Sequence, residues 1–201
     1  MTKVAFNISM SLDGFITAGN QTREEPLGKN GEFLHEWFFS SGAEGDAYVQ
    51  RLTSNIGAVI CGRKCYDDSI PYWDENGPTG ALRLPLFVVT HRPLLASHST
   101  GIYHAVGTIP DAVKQATSAA RDKDVSLMGG ADIFRQALAG GLVDEIELHI
   151  VPVLFGAGTR LFDTLPEQIK LEPTSMLETP LARHIAYRVS RCEVREATNY
   201  I

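Results

Sequence analysis

Three short stretches carry residues whose types and spacing suit chemistry on an anion. They are Gly62-Arg63-Lys64, Thr90-His91-Arg92 and Gly129-Gly130-Ala131-Asp132-Ile133-Phe134. Each follows a run of apolar residues that reads as a buried strand. Glycine lets a backbone approach a ligand closely, and a helix starting there offers free N–H groups. Guanidinium and ammonium groups beside such a turn hold phosphate through charge-assisted hydrogen bonds. If the three strands lie in one parallel sheet, the three turns share its carboxyl edge, where such sheets bind ligands. The pattern then suits a charged dinucleotide, with pyrophosphate on Gly129-Gly130 and a further ribose phosphate on Arg63, Lys64 or Arg92. The plainer alternatives are a ligand-free strand–helix turn for the glycines and a solvated surface charge for each basic residue. Three coincident sites weigh against them.

Other chemistries lack their residues. Gly156-Ala157-Gly158 follows a strand but no helical pattern follows it, so it is not a dinucleotide fingerprint of the Rossmann type. There is no GxxxxGK[ST] loop, no HExxH helix and no G-x-S-x-G elbow. The histidines 35, 91, 98, 104, 149 and 184 are scattered, and each reads as a surface or strand residue. Cys61 and Cys65 lie four apart with no further ligands clustered beside them, so no metal site is expected.

The elements that must position the three turns can be read from periodicity. Val4, Phe6 and Ile8 alternate with Ala5, Asn7 and Ser9, which predicts a strand ending at Asp13-Gly14. Phe33, Leu34, Trp37 and Phe38 share one helical face, and a second helix is expected over 44–54 with Tyr48, Val49 and Leu52 inward. Residues 56–61 and 86–90 are unbroken apolar strands, and 69–85 reads as a loop carrying Tyr72 and Trp73. A strand is expected at 102–106, a helix from Pro110 to about 120, and a strand at 125–128. A helix over 131–139 follows, closed by Gly140-Gly141. Strands are expected at 145–154 and within 168–178 and 183–194. Alternating strands and helices up to 139 imply a mostly parallel sheet with helices on both faces. The helix-free end implies an antiparallel edge.

Composition bounds the partners. The chain has 201 residues, 24 acidic against 18 basic, and a net charge of −6. The basic residues are spread along it, 8 in the first hundred and 10 in the rest. A general nucleic-acid or anionic-membrane surface is not expected, so an anion needs a local basic site. No run approaches the ~20 apolar residues of a membrane span. The N-terminus lacks a signal-peptide core, and three cysteines in an unexported chain suggest free thiols, so a cytoplasmic protein is expected. At this length the chain is expected to be a single domain over 1–201.

Ser11-Leu12-Asp13-Gly14-Phe15-Ile16, Cys61-Gly62-Arg63-Lys64-Cys65-Tyr66-Asp67, Val89-Thr90-His91-Arg92-Pro93 and Gly129 to Phe134 occur in that order. Gly141-Leu142-Val143-Asp144-Glu145-Ile146 and Pro152 to Gly158 follow them. In this the chain resembles the dihydrofolate reductase superfamily, most closely the branch of the reductase domain of the bifunctional riboflavin-biosynthesis enzyme. The resemblance covers about residues 2–194. It implies a three-layer dihydrofolate-reductase-like fold with eight strands, NADPH as cofactor and a homodimer. It places Gly62, Arg63 and Lys64 along the adenosine, Thr90, His91 and Arg92 around the 2′-phosphate, and Gly129 to Phe134 around the pyrophosphate. Asp13 and Gly14 fall in a loop closing over the nicotinamide.

Two positions depart from the dihydrofolate reductase pattern. Cys65 stands where threonine is usual, and a thiol is the weaker donor. Leu34 stands where the helix carboxylate that binds the pteridine is expected. The expected activity is therefore hydride transfer from NADPH to a small heterocyclic or carbonyl substrate, related to pyrimidines, pteridines or flavins, rather than folate reduction. The alternative is a catalytically silent NADP(H)- or flavin-binding protein. Asp13 and Glu36 are the catalytic candidates, and Tyr72 and Trp73 the substrate-side ones. Each has a plainer reading, as a turn residue, a solvated helix charge or loop packing.

Overall fold

The computed structural model describes residues 2–40, 42–73, 75–95 and 101–190. Cys192, His98 and the end of the expected strand 183–194 lie outside these. Eight strands form one sheet: β1 (Val4–Ser11), β2 (Ile56–Gly62), β3 (Leu86–Val89), β4 (Tyr103–Val106), β5 (Asp124–Met128), β6 (Glu145–Val151), β7 (Lys170–Thr179) and β8 (Ala182–Ser190). Their order is β4-β3-β2-β5-β1-β6-β8-β7. The first six run parallel, while β8 pairs antiparallel with both β6 and β7. The expected α/β class, with its parallel body and antiparallel edge, is what the chain adopts.

Five helices cover the sheet: α1 (Glu36–Ser40), α2 (Gly42–Ser54), α3 (Arg63–Trp73), α4 (Ile109–Ala120) and α5 (Ala131–Ala139). At the start of α4, Thr108 accepts the Asp111 N–H at 3.2 Å, satisfying one orphan donor of the first turn. On one face, α4 and α5 bury the even positions of β1, β2 and β6 in a continuous core that includes Phe6, Ile60, Ile146, Leu127 and Phe134. The opposite face carries two separate cores. One joins α3 to Val59, Cys61, Leu86 and Val88, and the other joins α1 and α2 to Val151 and Ala182.

Two expectations are corrected. Residues 69–73 are not loop but the end of α3, which runs through Pro71. Pro71 read as punctuation, yet it removes a single backbone donor, its own, and α3 ends two residues later at Trp73. The supposed single helical face at 33–38 is split. Residues Gly31–His35 form a 3₁₀ turn before α1 begins. A pitch of ~3.0 residues per turn rotates side chains differently from ~3.6. Leu34 and Trp37 are buried as expected, while Phe33 and Phe38 are exposed.

Candidate functional site

The register brings the three turns together. Cys61 pairs with Val88 of β3 and with Met128 of β5, so β3, β2 and β5 end side by side. Gly62-Arg63, Thr90 and Gly129-Gly130 therefore follow one another along the carboxyl edge. Below them, between the two cores of the divided face, lies a cavity of about 870 Å³. Asn7, Ser9 and Ser126 form its floor and α3 one wall, with His35, Trp37 and Phe38 opposite. Over these central strands the helices stand apart, and the inner positions Asn7, Ser9 and Ser126 face the cavity.

Gly129 and Gly130 both adopt φ of +64°. A Cβ on Gly129 would lie 2.4 Å from Cys65 Sγ, so glycine is demanded by conformation and by space. Gly130 is the N-cap of α5 and supplies no side-chain cap, leaving the first N–H groups of the helix open to a ligand. Ala131, Asp132 and Ile133 line the cavity. Phe134 does not. It points into the opposite core, stacked on Phe6 at 3.8 Å between ring centroids.

The basic side chains are held in place by acids and carbonyls. Arg63 Nε donates to Asp67 Oδ1 at 2.7 Å, and Nη1 donates to the Pro93 carbonyl at 3.0 Å and to Thr90 Oγ1 at 3.4 Å. Arg92 reaches the same Asp67 at 3.3 Å, and Lys64 pairs with Asp68 at 2.6 Å. Arg63 and Lys64 line the cavity. His91 lines an adjoining cleft of about 390 Å³, which shares Val89, Ile109 and Gln136 with the main cavity. Thr90 and Arg92 line neither and join the site through their bonds to Arg63 and Asp67. This donor set fits a phosphate-bearing nucleotide: glycines that permit close approach, an open helix start, and an arginine and a lysine beside them.

Cys65, half-buried in the α3 wall, is hydrogen-bonded to Cys61. That hydrogen bond lowers the Cys65 pKa, and the same bond with burial raises that of Cys61. Among the described residues, no group of three or more His, Cys, Asp or Glu side chains is placed to hold a metal ion.

The two carboxylates singled out in the sequence are not brought to the cavity. Asp13 fastens two loops. Its carboxylate accepts the Ser11 hydroxyl at 2.6 Å, the Gly156 N–H at 2.7 Å and the Phe155 N–H at 3.1 Å. The Ser11 bond is the largest influence and lowers its pKa; desolvation opposes it, and the Gly156 and Phe155 N–H groups add to the lowering, leaving the pKa at about 2. Glu36 is exposed at the start of α1, outside the cavity lining. Tyr72 lines the cavity from α3, whereas Trp73 packs against the core beneath that helix. Leu34, at the position of the missing acid, is fully buried.

What the sequence reading missed is a polar cluster in the cavity floor and behind it. Trp37 Nε1 donates to Ser9 Oγ at 2.8 Å. His149 Nε2 meets Asn7 Oδ1 at 2.8 Å, and His149 Nδ1 meets His184 Nδ1 at 2.9 Å. Tyr48 donates to Glu147 Oε1 at 2.6 Å, and burial, then that carboxylate, pushes its pKa up. Burial, then the charges of His184, His35 and Arg51, lowers His149 to about 3; burial and Arg51 lower His184 to about 4. His35, set in the concave wall, is also lowered by burial. The signal was present in the alternation of β1 and β6, but only pairing Ser9 with His149 and His149 with His184 turns scattered residues into a cluster.

The model of the RibD C-terminal domain matches residues 2–181. The chain belongs to the RibD C-terminal domain family. It is 27% identical over 175 residues to the uncharacterized protein YyaP of Bacillus subtilis, covering 85% of each chain. Its fold is similar to a putative riboflavin biosynthesis protein from Shewanella, with a TM-score of 0.72, 18% identity, 94% of this chain and 100% of that one. It is also similar to a pyrimidine reductase-like protein from Corynebacterium diphtheriae, with a TM-score of 0.61, 16% identity, 94% of this chain and 92% of that one. The family includes reductases of the riboflavin pathway, and membership supports an oxidoreductase in general terms. No helix among the described residues is long and apolar enough to cross a membrane.

Proposed function

We propose that this member of the RibD C-terminal domain family is an NADPH-dependent reductase. It would deliver hydride to a small heterocyclic or carbonyl substrate held over Asn7 and Ser9. The observation that carries this reading is the alignment of Gly62-Arg63, Thr90 and Gly129-Gly130 along one edge, directly above a cavity with a polar floor. When bound, the nicotinamide cofactor supplies the hydride; the protein supplies binding, orientation and exclusion of water. The open N–H groups of α5 and the Gly129-Gly130 backbone hold the pyrophosphate. Arg63 and Lys64, already oriented by Asp67 and Asp68, face the ribose phosphate, with His91 and Arg92 at the edge. Asn7 and Ser9 present polar groups to the substrate. With Asp13 held ionised as a loop fastener and Glu36 outside the cavity, proton delivery falls to His35 or to water.

The test is titration with NADPH, then loss of its absorbance in a screen of pyrimidines, pteridines and flavin precursors. Saturable NADPH binding that Arg63→Ala weakens tenfold or more, with turnover of one such compound, is the expected result. Binding unchanged by Arg63→Ala would place the cofactor elsewhere. Tight binding with no turnover across the screen would favour a silent nucleotide-binding protein, the reading favoured by the displacement of Asp13 and Glu36 from the cavity. A homodimer in the cytoplasm completes the proposal. β7, exposed along most of its length and carrying Met176 and Leu177 outward, is the edge a second copy would cover, and sedimentation would read the mass.

A further inference from the structure

His149, which lines the cavity, and His184 behind it form a buried hydrogen-bonded chain whose direction is set by the Asn7 amide. Asn7, in the floor, faces His149 with its carbonyl oxygen at 2.8 Å. An oxygen can only accept, so His149 Nε2 carries the proton and its Nδ1 is bare. His184 Nδ1, at 2.9 Å from that bare nitrogen, must then be the donor. Its own Nε2 is left as an acceptor, and Thr179 Oγ1 lies 3.0 Å from it, closer than the 3.3 Å to the Ala182 carbonyl. Tyr48 does not compete, because its O–H is committed to Glu147 at 2.6 Å and it stands 3.4 Å from His149 Nδ1. Burial keeps both imidazoles neutral near pH 7, so each has one proton to place. Each proton then determines the next, from Thr179 at the end of β7 to Asn7 in the floor.

The reverse direction would turn the Asn7 amide around. Its NH2 would donate to His149, and its carbonyl would face the cavity. The direction of the buried chain thus decides whether the floor meets a ligand as donor or acceptor. With the amide oxygen toward His149, no protein partner among the described residues takes the Asn7 NH2, and the residue lines the cavity.

We propose that His149, His184 and Thr179 are positioning residues that lock the Asn7 carboxamide with its NH2 toward the cavity, so that the floor selects ligands presenting a carbonyl-type acceptor. This rests on the reading of the cavity as the substrate site. The histidines act through Asn7 and transfer no proton to the substrate, since the step would leave a charge buried where the walls penalise it.

The decisive measurement uses the whole chain with ¹⁵N-labelled histidine and asparagine at neutral pH, where long-range correlations report the tautomer of each ring. His149 is expected with its proton on Nε2 and His184 with its proton on Nδ1. The opposite pair of tautomers overturns the proposal. His184→Leu is expected to release the His149 tautomer and shift the Asn7 NH2 signals. His184→Asn, whose NH2 replaces the lost donor, is expected to retain both, and equal spectra for the two variants would refute the positioning role. Uracil, with two carbonyl acceptors, is expected to bind at least tenfold tighter than 2,4-diaminopyrimidine, with the difference abolished by Asn7→Leu. Equal binding of the two pyrimidines, or binding of neither, counts against the selectivity. The tautomers are read without cofactor, so failure to bind NADPH would remove the reductase reading alone.

Discussion

The two faces of β1 and β6 differ in what they touch. Phe6, Ile146 and Leu148 face α4 and α5 in a dry, continuous core. Asn7, Ser9 and His149, one residue out of phase on the same strands, face the cavity and a hydrogen-bonded cluster. One sheet thus backs a packed core on one side and forms a polar cavity floor on the other. Alternation of side chains along a strand permits this, because adjacent residues never share a face. Polar side chains survive in the middle of the sheet only because the cores on that face are divided and because partners satisfy them. Every buried side-chain nitrogen and oxygen among the described residues has a hydrogen-bond partner.

The comparison can be broken most forcefully from the dry side. Phe6→Ala removes a fully buried ring stacked on Phe134 and is expected to cost about 3–5 kcal/mol of folding stability in urea unfolding. The polar side should show itself through pH. His149 is lowered from 6.5 to about 3 in the fold, so the unfolded chain binds the extra proton first. Stability is then fully present above pH 6.5 and falls as pH drops toward 3, by up to about 1.4 kcal/mol per pH unit from this group. A midpoint of unfolding independent of pH between 6.5 and 4.5 would contradict the buried, neutral pair.

Smaller effects separate the site from its scaffold. Gly129→Ala forces a left-handed conformation on an L-residue and crowds Cys65, costing about 1–2 kcal/mol in stability. It is expected also to lower NADPH affinity at least tenfold in a fluorescence titration, whereas Phe6→Ala at a temperature where it stays folded should leave that affinity within about twofold. Ser9→Ala deletes the hydroxyl that accepts the Trp37 indole and is expected to cost about 1 kcal/mol by thermal unfolding. Glu36→Gln, on an exposed carboxylate outside the cavity, should change stability by less than about 0.5 kcal/mol and leave turnover of any identified substrate unaltered.

The row of turns on the carboxyl edge was legible because it is local. Gly129-Gly130 before a helix, and Arg63 or Thr90 after an apolar strand, carry their meaning in a few consecutive residues. The sheet order then placed them together as the strand pattern implied. The polar floor was not legible for the opposite reason. Asn7, His149, His184 and Thr179 come from four strands, and the bonds that define their roles join residues 142 and 35 positions apart. Asp13 misled because a carboxylate in a glycine turn looks the same whether it meets a substrate or, as here, the backbone of residues 155 and 156. Pro71 misled because a proline costs a single donor, and the packing of Ile70 and Trp73 on either side of it against the core holds the helix through it.

The sequence alone determined the class of the fold, the parallel body and antiparallel edge, the membership motifs and the three turns at strand ends. These follow from short-range periodicity and from glycine and charge at strand ends. Only the tertiary structure decided which of the polar residues on β1 and β6 meet one another and where the cavity lies. It also decided that Asp13 bonds the backbone of residues 155 and 156 and that Phe134 stacks on Phe6 in the opposite core. Those outcomes depend on strand register and on the gap between two cores, and both arise from packing between segments far apart in the chain.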